Sequence, residues 1–133
     1  MPEQILVAVD GVDFDGHYAL SLVDCGGMLL FWILGKVMRV FPQDFMQAAE
    51  DHAGRMQPPH LVFDLSRCEH LSSIALGELV RLLSHLKGRG GHILVLRPSP
   101  RVHGLLDVLG LDRFMHVVTD DSAARAWLTA LKS

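Results

Sequence analysis

Cysteine is scarce in this chain: Cys25 and Cys68 are the only two among 133 residues. That excludes the disulfide framework of a small secreted domain and points to a reducing compartment. Basic charge is also in short supply. Twelve Lys and Arg stand against fifteen Asp and Glu, for a net charge of −3, and the pI is near 6.2. This balance excludes nucleic-acid binding through an extended basic patch. Lys87, Arg89, Arg97 and Arg101 form only a loose group, which reads as a solvated rim around a turn. Long hydrophobic runs are missing as well. The longest, Met28 to Leu34, is far short of a membrane span. The opening MPEQILVAVDG has no basic region and no small-residue cleavage site, so it does not read as a signal peptide. A cytoplasmic protein is the expectation.

Familiar chemical motifs are equally absent. There is no Gly-x-Ser-x-Gly elbow and no phosphate loop. The GRGG at 88–91 precedes a strand rather than a helix, so it reads as a tight turn and not as a phosphate cradle. Eight histidines are present, yet no pair has the i, i+4 spacing of a helical metal site with a flanking carboxylate. His52, His60, His85, His92, His103 and His116 read as scattered surface residues. Asp10, Asp13 and Asp15 partly echo a calcium loop. The ligating Glu expected six residues after Gly16 is Leu22, so a polar turn is the better reading. No metal and no cofactor is expected, and no catalytic constellation is visible.

What is present is half hydrophobic (50%) and one-fifth charged (20%), enough to bury a core. No repeat, low-complexity segment or linker divides the chain. Ile5, Val7 and Val9 allow a short strand, and GVDFDG then reads as a turn edged by Gly11 and Gly16. Two apolar runs, His17 to Val23 and Met28 to Leu34, flank DCGG as a β-hairpin, with Gly35 ending the second strand. Pro42 opens a helix whose apolar face is Phe45, Ala49, Ala53 and Met56, and Gln57-Pro58-Pro59 stops it. Leu61 to Leu65 is nearly continuous apolar sequence, as in a strand buried on both faces. A helix follows Ser73 with Leu76, Leu79, Val80, Leu83 and Leu86 inward. Ile93 to Leu96 forms a second buried strand. Leu105 to Leu109 make a short helix capped by Gly110, Met115 to Val118 a last strand, and Asp120 or Asp121 caps a final helix carrying Trp127 inward. The order, (β)ββαβαβαβα, predicts an α/β fold with right-handed crossovers. Residues 1–16 read as an N-terminal extension, an edge strand and turn, ahead of a domain over 17–133.

The main functional lead is Ser72-Ser73 at a predicted helix start. A helix N-terminus has free N–H groups and partial positive charge, so it tolerates phosphate. One of the two serines is the N-cap. Phosphate on either would add about −1.5 to −2 charges without unfolding the helix, and would change the surface a partner meets.

The ordered set LVFDLS (61–66), SSIALGEL (72–79), GRGGHILVL (88–96), RPSP (97–100) and LGLDRF (109–114) resembles the sulphate-transporter and anti-sigma-factor-antagonist (STAS) domain. It is most similar to the small bacterial anti-sigma factor antagonists. The resemblance spans roughly residues 17–131. It implies a mixed β-sheet with helices mainly on one side and a protein that binds other proteins rather than an enzyme. Ser73 falls on the family's phosphorylatable serine, with Ser72 the second choice. The implied partner-binding residues are Leu71, Ser72, Ile74, Ala75, Glu78 and Met38. Implied partners are an anti-sigma factor that is itself an ATPase-type serine kinase, and a phosphoserine phosphatase. The N-terminal extension also allows a homodimer. Two positions depart from the family pattern: Ser72 stands where an Asp is usual, and Met38 where a second acid is usual. They support an alternative, a non-phosphorylated scaffold subunit of a stress-signalling or transporter-associated complex. A third reading, a small enzyme using His70 as a base for a nearby serine, lacks an orienting third group.

Overall fold

The computed structural model describes residues 4–13, 16–86 and 88–132. The elements in chain order are β1 (Gln4–Asp13), β2 (Gly16–Asp24), β3 (Met28–Val37), α1 (Gln43–Gly54), β4 (His60–Asp64), β5 (Cys68–Leu71), α2 (Ser73–His85), β6 (Ile93–Leu96), α3 (Pro100–Val108), β7 (His116–Val118) and α4 (Asp121–Lys132), with a 3₁₀ turn at Leu111–Arg113 before β7. One mixed sheet runs in the order β1-β2-β3-β4-β6-β7, with β5 also paired to β3. β1, β2 and β3 are antiparallel neighbours. β3, β4, β6 and β7 are parallel, as crossover helices require.

Alternation sorts the side chains onto two faces. Leu20, Leu22, Leu29, Phe31, Ile33, Leu61, Phe63 and Val95 face α1, α2 and α3 and form the main core with Phe45, Leu79 and Leu106. The opposite pleat positions of the parallel half, Met28, Val62, Leu94, Leu96 and Val118, form a smaller core under α4 with Ala124 and Trp127. Three helices therefore lie on one face and one on the other, the mixed α/β architecture expected.

The structure changes several sequence expectations. β1 is not short: it pairs with β2 through Asp13, so Gly11 and Val12 are in the strand rather than in a turn. Phe14 and Asp15 of that expected turn lie outside the described residues, as does Lys87 of the basic group. β3 does not end at Gly35 but runs on to Val37. Gly35 is where β3 changes partner: Trp32 pairs with Asp64 of β4, and from Gly35 the strand pairs with β5. β5 was not expected at all. α3 starts at Pro100, five residues before its apolar run, because the Ser99 hydroxyl accepts the Val102 N–H at 3.3 Å and Pro100 fits the first turn. Gly110 sits just past that helix at φ 71°, the left-handed cap expected of it.

The histidines are less scattered than their spacing implies. The β4–β6–β7 register brings His60 and His92 into a stack with centroids 5.3 Å apart, and Trp127 lies 4.3 Å from His116 and 6.0 Å from His92. The His92 backbone N–H donates to His60 Nδ1 at 3.1 Å. Burial first, and His92 second, hold the His60 imidazole below its ordinary value. Among the described residues no three His, Cys, Asp or Glu side chains converge as a metal site, and no helix is long and apolar enough to cross a membrane.

Candidate functional site at the start of α2

Ser72 is the N-cap. Its φ/ψ of −67°/158° are extended, and its hydroxyl accepts the Ala75 N–H at 3.0 Å. The same hydroxyl donates to the Arg39 carbonyl. The Ser72 N–H donates to the Val37 carbonyl at 2.9 Å, and its carbonyl accepts the Leu76 N–H at 3.0 Å. Every polar group of Ser72 is thus engaged within the chain, and two of these bonds fasten the end of β3 to the helix start. A second tie runs beside it: the Phe41 N–H donates to the Glu78 carboxylate at 2.8 Å. The segment 38–41 and the first turns of α2 therefore form one surface, although they are over thirty residues apart.

Ser73 occupies the first helical position and is exposed. Its side chain is left unused by the cap, because Ser72 already serves that role. Ile74 is 59% exposed and Val40 54%, two large apolar side chains, one following Ser73 on α2 and the other following Arg39, whose carbonyl holds Ser72. Gly77, one helical turn beyond Ser73, is exposed as well, and a Cβ there would meet nothing within 4 Å. An open cleft of about 730 Å³ adjoins this surface, lined by Arg39, Val40, Gln43, Glu50, Glu78 and Arg81 among others.

The residues singled out from the sequence separate into two kinds here. Ser72, Ser73, Ile74 and Glu78 lie at the surface. Leu71 and Ala75 are fully buried, so their side chains hold the helix start on the core and are not available for contact. Met38 is half-buried, and its side chain abuts Gly16 at the start of β2. Val40, Arg39 and Arg81 were not singled out. Their part depends on the bonds from Ser72 and Glu78 to a loop distant in sequence, and the only local signal is an exposed-type Val ahead of Phe41-Pro42. His70 lies on β5, and the Cys68 thiol donates to its carbonyl at 3.6 Å. Burial pushes that thiol up to about 12, so Cys68 stays protonated. The two cysteines are not bonded to each other. Asp64, at the end of β4, has a structural part: it accepts the Ser66 N–H at 3.0 Å and the Ser66 hydroxyl at 2.7 Å, and lies 3.7 Å from Arg97.

Comparison with known proteins places this geometry. The STAS domain model matches residues 19–124. The chain belongs to the STAS domain family. No curated protein sequence matches significantly. Among solved structures, an anti-sigma factor antagonist from Mycobacterium paratuberculosis superposes with a TM-score of 0.69 at 25% identity, covering 87% of this chain and 95% of the other. The antagonist SpoIIAA in its unphosphorylated form gives 0.61 at 14% identity, covering 83% and 96%. The Bacillus cell fate determinant SpoIIAA in its phosphorylated form gives 0.57 at 15%, covering 80% and 97%. The STAS domain here thus resembles anti-sigma factor antagonists, a family that is non-catalytic.

Proposed function

We propose that this chain is a switched protein-binding module, that it docks an anti-sigma factor of the ATPase serine-kinase type through the start of α2, and that phosphate on Ser73 ends the docking. The observation that carries this reading is the division of labour between the two serines. Ser72 is consumed by the cap and the tie to segment 38–41, whereas the Ser73 hydroxyl is exposed beside Ile74 and Val40. A phosphate at the first helical position gains from the helix dipole, so the fold survives it. The same charge beside two apolar contact residues would have to be desolvated against a partner. Gly77 fits this picture: glycine inside a helix costs about 1 kcal/mol relative to alanine, no neighbour in the chain requires it, and its smallness leaves room for a partner's approach along α2. A phosphoserine phosphatase restores binding, and the cycle belongs to the cytoplasm. Ser72 in place of the family's usual acid is a conservative departure, since Ser and Asp cap helices about equally well.

The test is binding of three variants to the partner kinase. Ser73→Asp should weaken binding at least about 30-fold, because an unpaired charge taken into an interface costs about 2–5 kcal/mol. Ser73→Ala should bind in the presence of ATP and kinase without the loss that wild type shows. Ser72→Ala should lose about 1 kcal/mol of stability with the cap, whereas Ser73→Ala stays within about 0.5 kcal/mol of wild type. If Ser73→Asp and Ser73→Ala both bind like wild type, the unswitched scaffold is the correct reading. Met38 is the residue that favours it, since an apolar side chain stands where the family presents an acid.

A further inference from the structure

Of the sheet face that carries α4, the β1–β3 half has no helix packed on it among the described residues. On β1–β3, the positions opposite to the main core form a three-by-three array: Ile5, Val23 and Leu30 in one row, Ala8, Ser21 and Trp32 in the next, Asp10, Ala19 and Leu34 in the third. Only Leu30, at the margin, touches the small core under α4; the others belong to neither core. Trp32 is 42% exposed and Ile5 67%, whereas Val23 between them on β2 is buried at 7%, so the apolar surface is open along β1 and β3 rather than over the middle of β2.

We propose that this face binds the same face of a second copy of the chain, sheet on sheet, across a two-fold axis running close to the direction of β2. Such an axis reverses the order of the strands, so β3 of one copy lies over β1 of the other at the same row. Trp32 then lies over Ala8, the smallest side chain in its row, and Leu30 over Ile5. Asp10 lies over Leu34, and exposed Lys36, next along that face of β3, is within reach of its carboxylate. The surface is self-complementary in bulk and in charge, as an isologous contact requires. A two-fold across the strands would instead stack Trp32 on Trp32 and Asp10 on Ile5, with neither complementarity. Strands of nine or ten residues at about 3.3 Å per residue, about 4.8 Å apart, make a face of about 30 by 14 Å. Two such faces bury on the order of 1,000 Å², the lower bound of a specific interface, so the dimer is reversible. It leaves both α2 starts facing outward on the helical side, so each copy keeps its partner-docking surface.

Sedimentation of the full chain over a concentration series tests this. Wild type should pass from 14.7 kDa toward twice that mass as concentration rises. Trp32→Lys and Ala8→Glu should each stay monomeric with unchanged circular dichroism, and an equimolar mixture of the two should regain the dimer. In that mixed dimer one of the two Trp32–Ala8 contacts is kept and the other pairs Lys with Glu. A wild type that is monomeric at several hundred micromolar would overturn the proposal. So would a Trp32→Lys variant that dimerises as wild type does, which would place the contact elsewhere, for example on the free edge of β1. Two monomeric variants that fail to associate would refute the strand-reversing register.

Discussion

Phe31→Ala should lower the unfolding free energy by about 3–5 kcal/mol, against a total of about 5–15 kcal/mol for a domain. Phe31 lies on the central strand β3 and is wholly buried. Its ring stacks on Phe63 of β4 with centroids 4.4 Å apart and meets the edge of Phe45 of α1 at 6.1 Å. Phe45 in turn lies 5.8 Å from Phe41, whose N–H is held by Glu78. Truncation at Phe31 removes dispersion contacts on both sides and leaves a cavity that the sheet cannot close, because β2 and β4 fix β3 from either side. The melting temperature should fall by about 10–20 °C for a chain of this size. The same truncation at Val108, 82% exposed, should stay within about 0.5 kcal/mol. Because Phe41 leads from this cluster to the α2 surface, the variant should also weaken partner binding at temperatures where it remains folded. Equal losses for Phe31→Ala and Val108→Ala in urea and thermal unfolding would contradict this account of the core.

Gly35→Ala should be comparably damaging, for a backbone reason. Gly35 has φ of +80°. A Cβ at this position would overlap the His17 carbonyl oxygen on β2, far inside van der Waals contact with a backbone atom that cannot rotate away. The Gly35 N–H also donates to the Arg67 carbonyl at 2.9 Å, which ties β3 to the turn before β5. Alanine would have to break the β2–β3 register or abandon the switch from β4 to β5. Gly27 supplies the control: its φ is +102°, yet a Cβ there meets nothing within 4 Å. Gly27→Ala should cost only the left-handed penalty of about 1–2 kcal/mol, whereas Gly35→Ala should cost at least about 3 kcal/mol, the overlap being an added overpacking term. Similar urea midpoints for the two variants would show that the close approach at Gly35 is relieved cheaply.

Those two positions also show what a linear reading of this chain can and cannot find. Elements with their own periodicity were legible: α1 and α2 carry apolar stripes, β4 and β6 are continuous apolar runs, and Ser72-Ser73 is a local start signal, whereas the start of α3 at Ser99-Pro100 lies ahead of its apolar run and was not. β5 was not legible, since Cys68-Glu69-His70-Leu71 has no distinctive composition. It is a strand because β3 projects beyond β4 and offers Lys36 and Val37 as partners. The far half of β1 failed for the opposite reason. Asp10, Gly11 and Asp13 look like a turn, and pairing with β2 overrides that composition. Gly35 was legible as a punctuation mark, but whether it ends a strand or bends it depends on the neighbour that crosses there. The site divides in the same way. Its serines announce themselves locally. Segment 38–41, which completes the surface with Val40, is joined to them by the bonds from Ser72 and Glu78.

The consequence for function is a surface with two separable tasks. One serine maintains the fold of the site, and the adjacent one is exposed to modification without that duty. At a helix start whose only serine is itself the N-cap, a phosphate would have to displace the cap. Here the cap is Ser72, so in the proposed switch phosphate on Ser73 alters binding while the domain stays folded.

Phosphate occupancy is the most direct measurement of this claim. The chain isolated from its own cells, across growth and stress conditions, would be digested and its 68–81 region mapped by mass spectrometry. The account predicts phosphate on Ser73 and an unmodified Ser72, with occupancy that changes between conditions. Phosphate on Ser72 instead, or peptides free of phosphate under every condition, would contradict it.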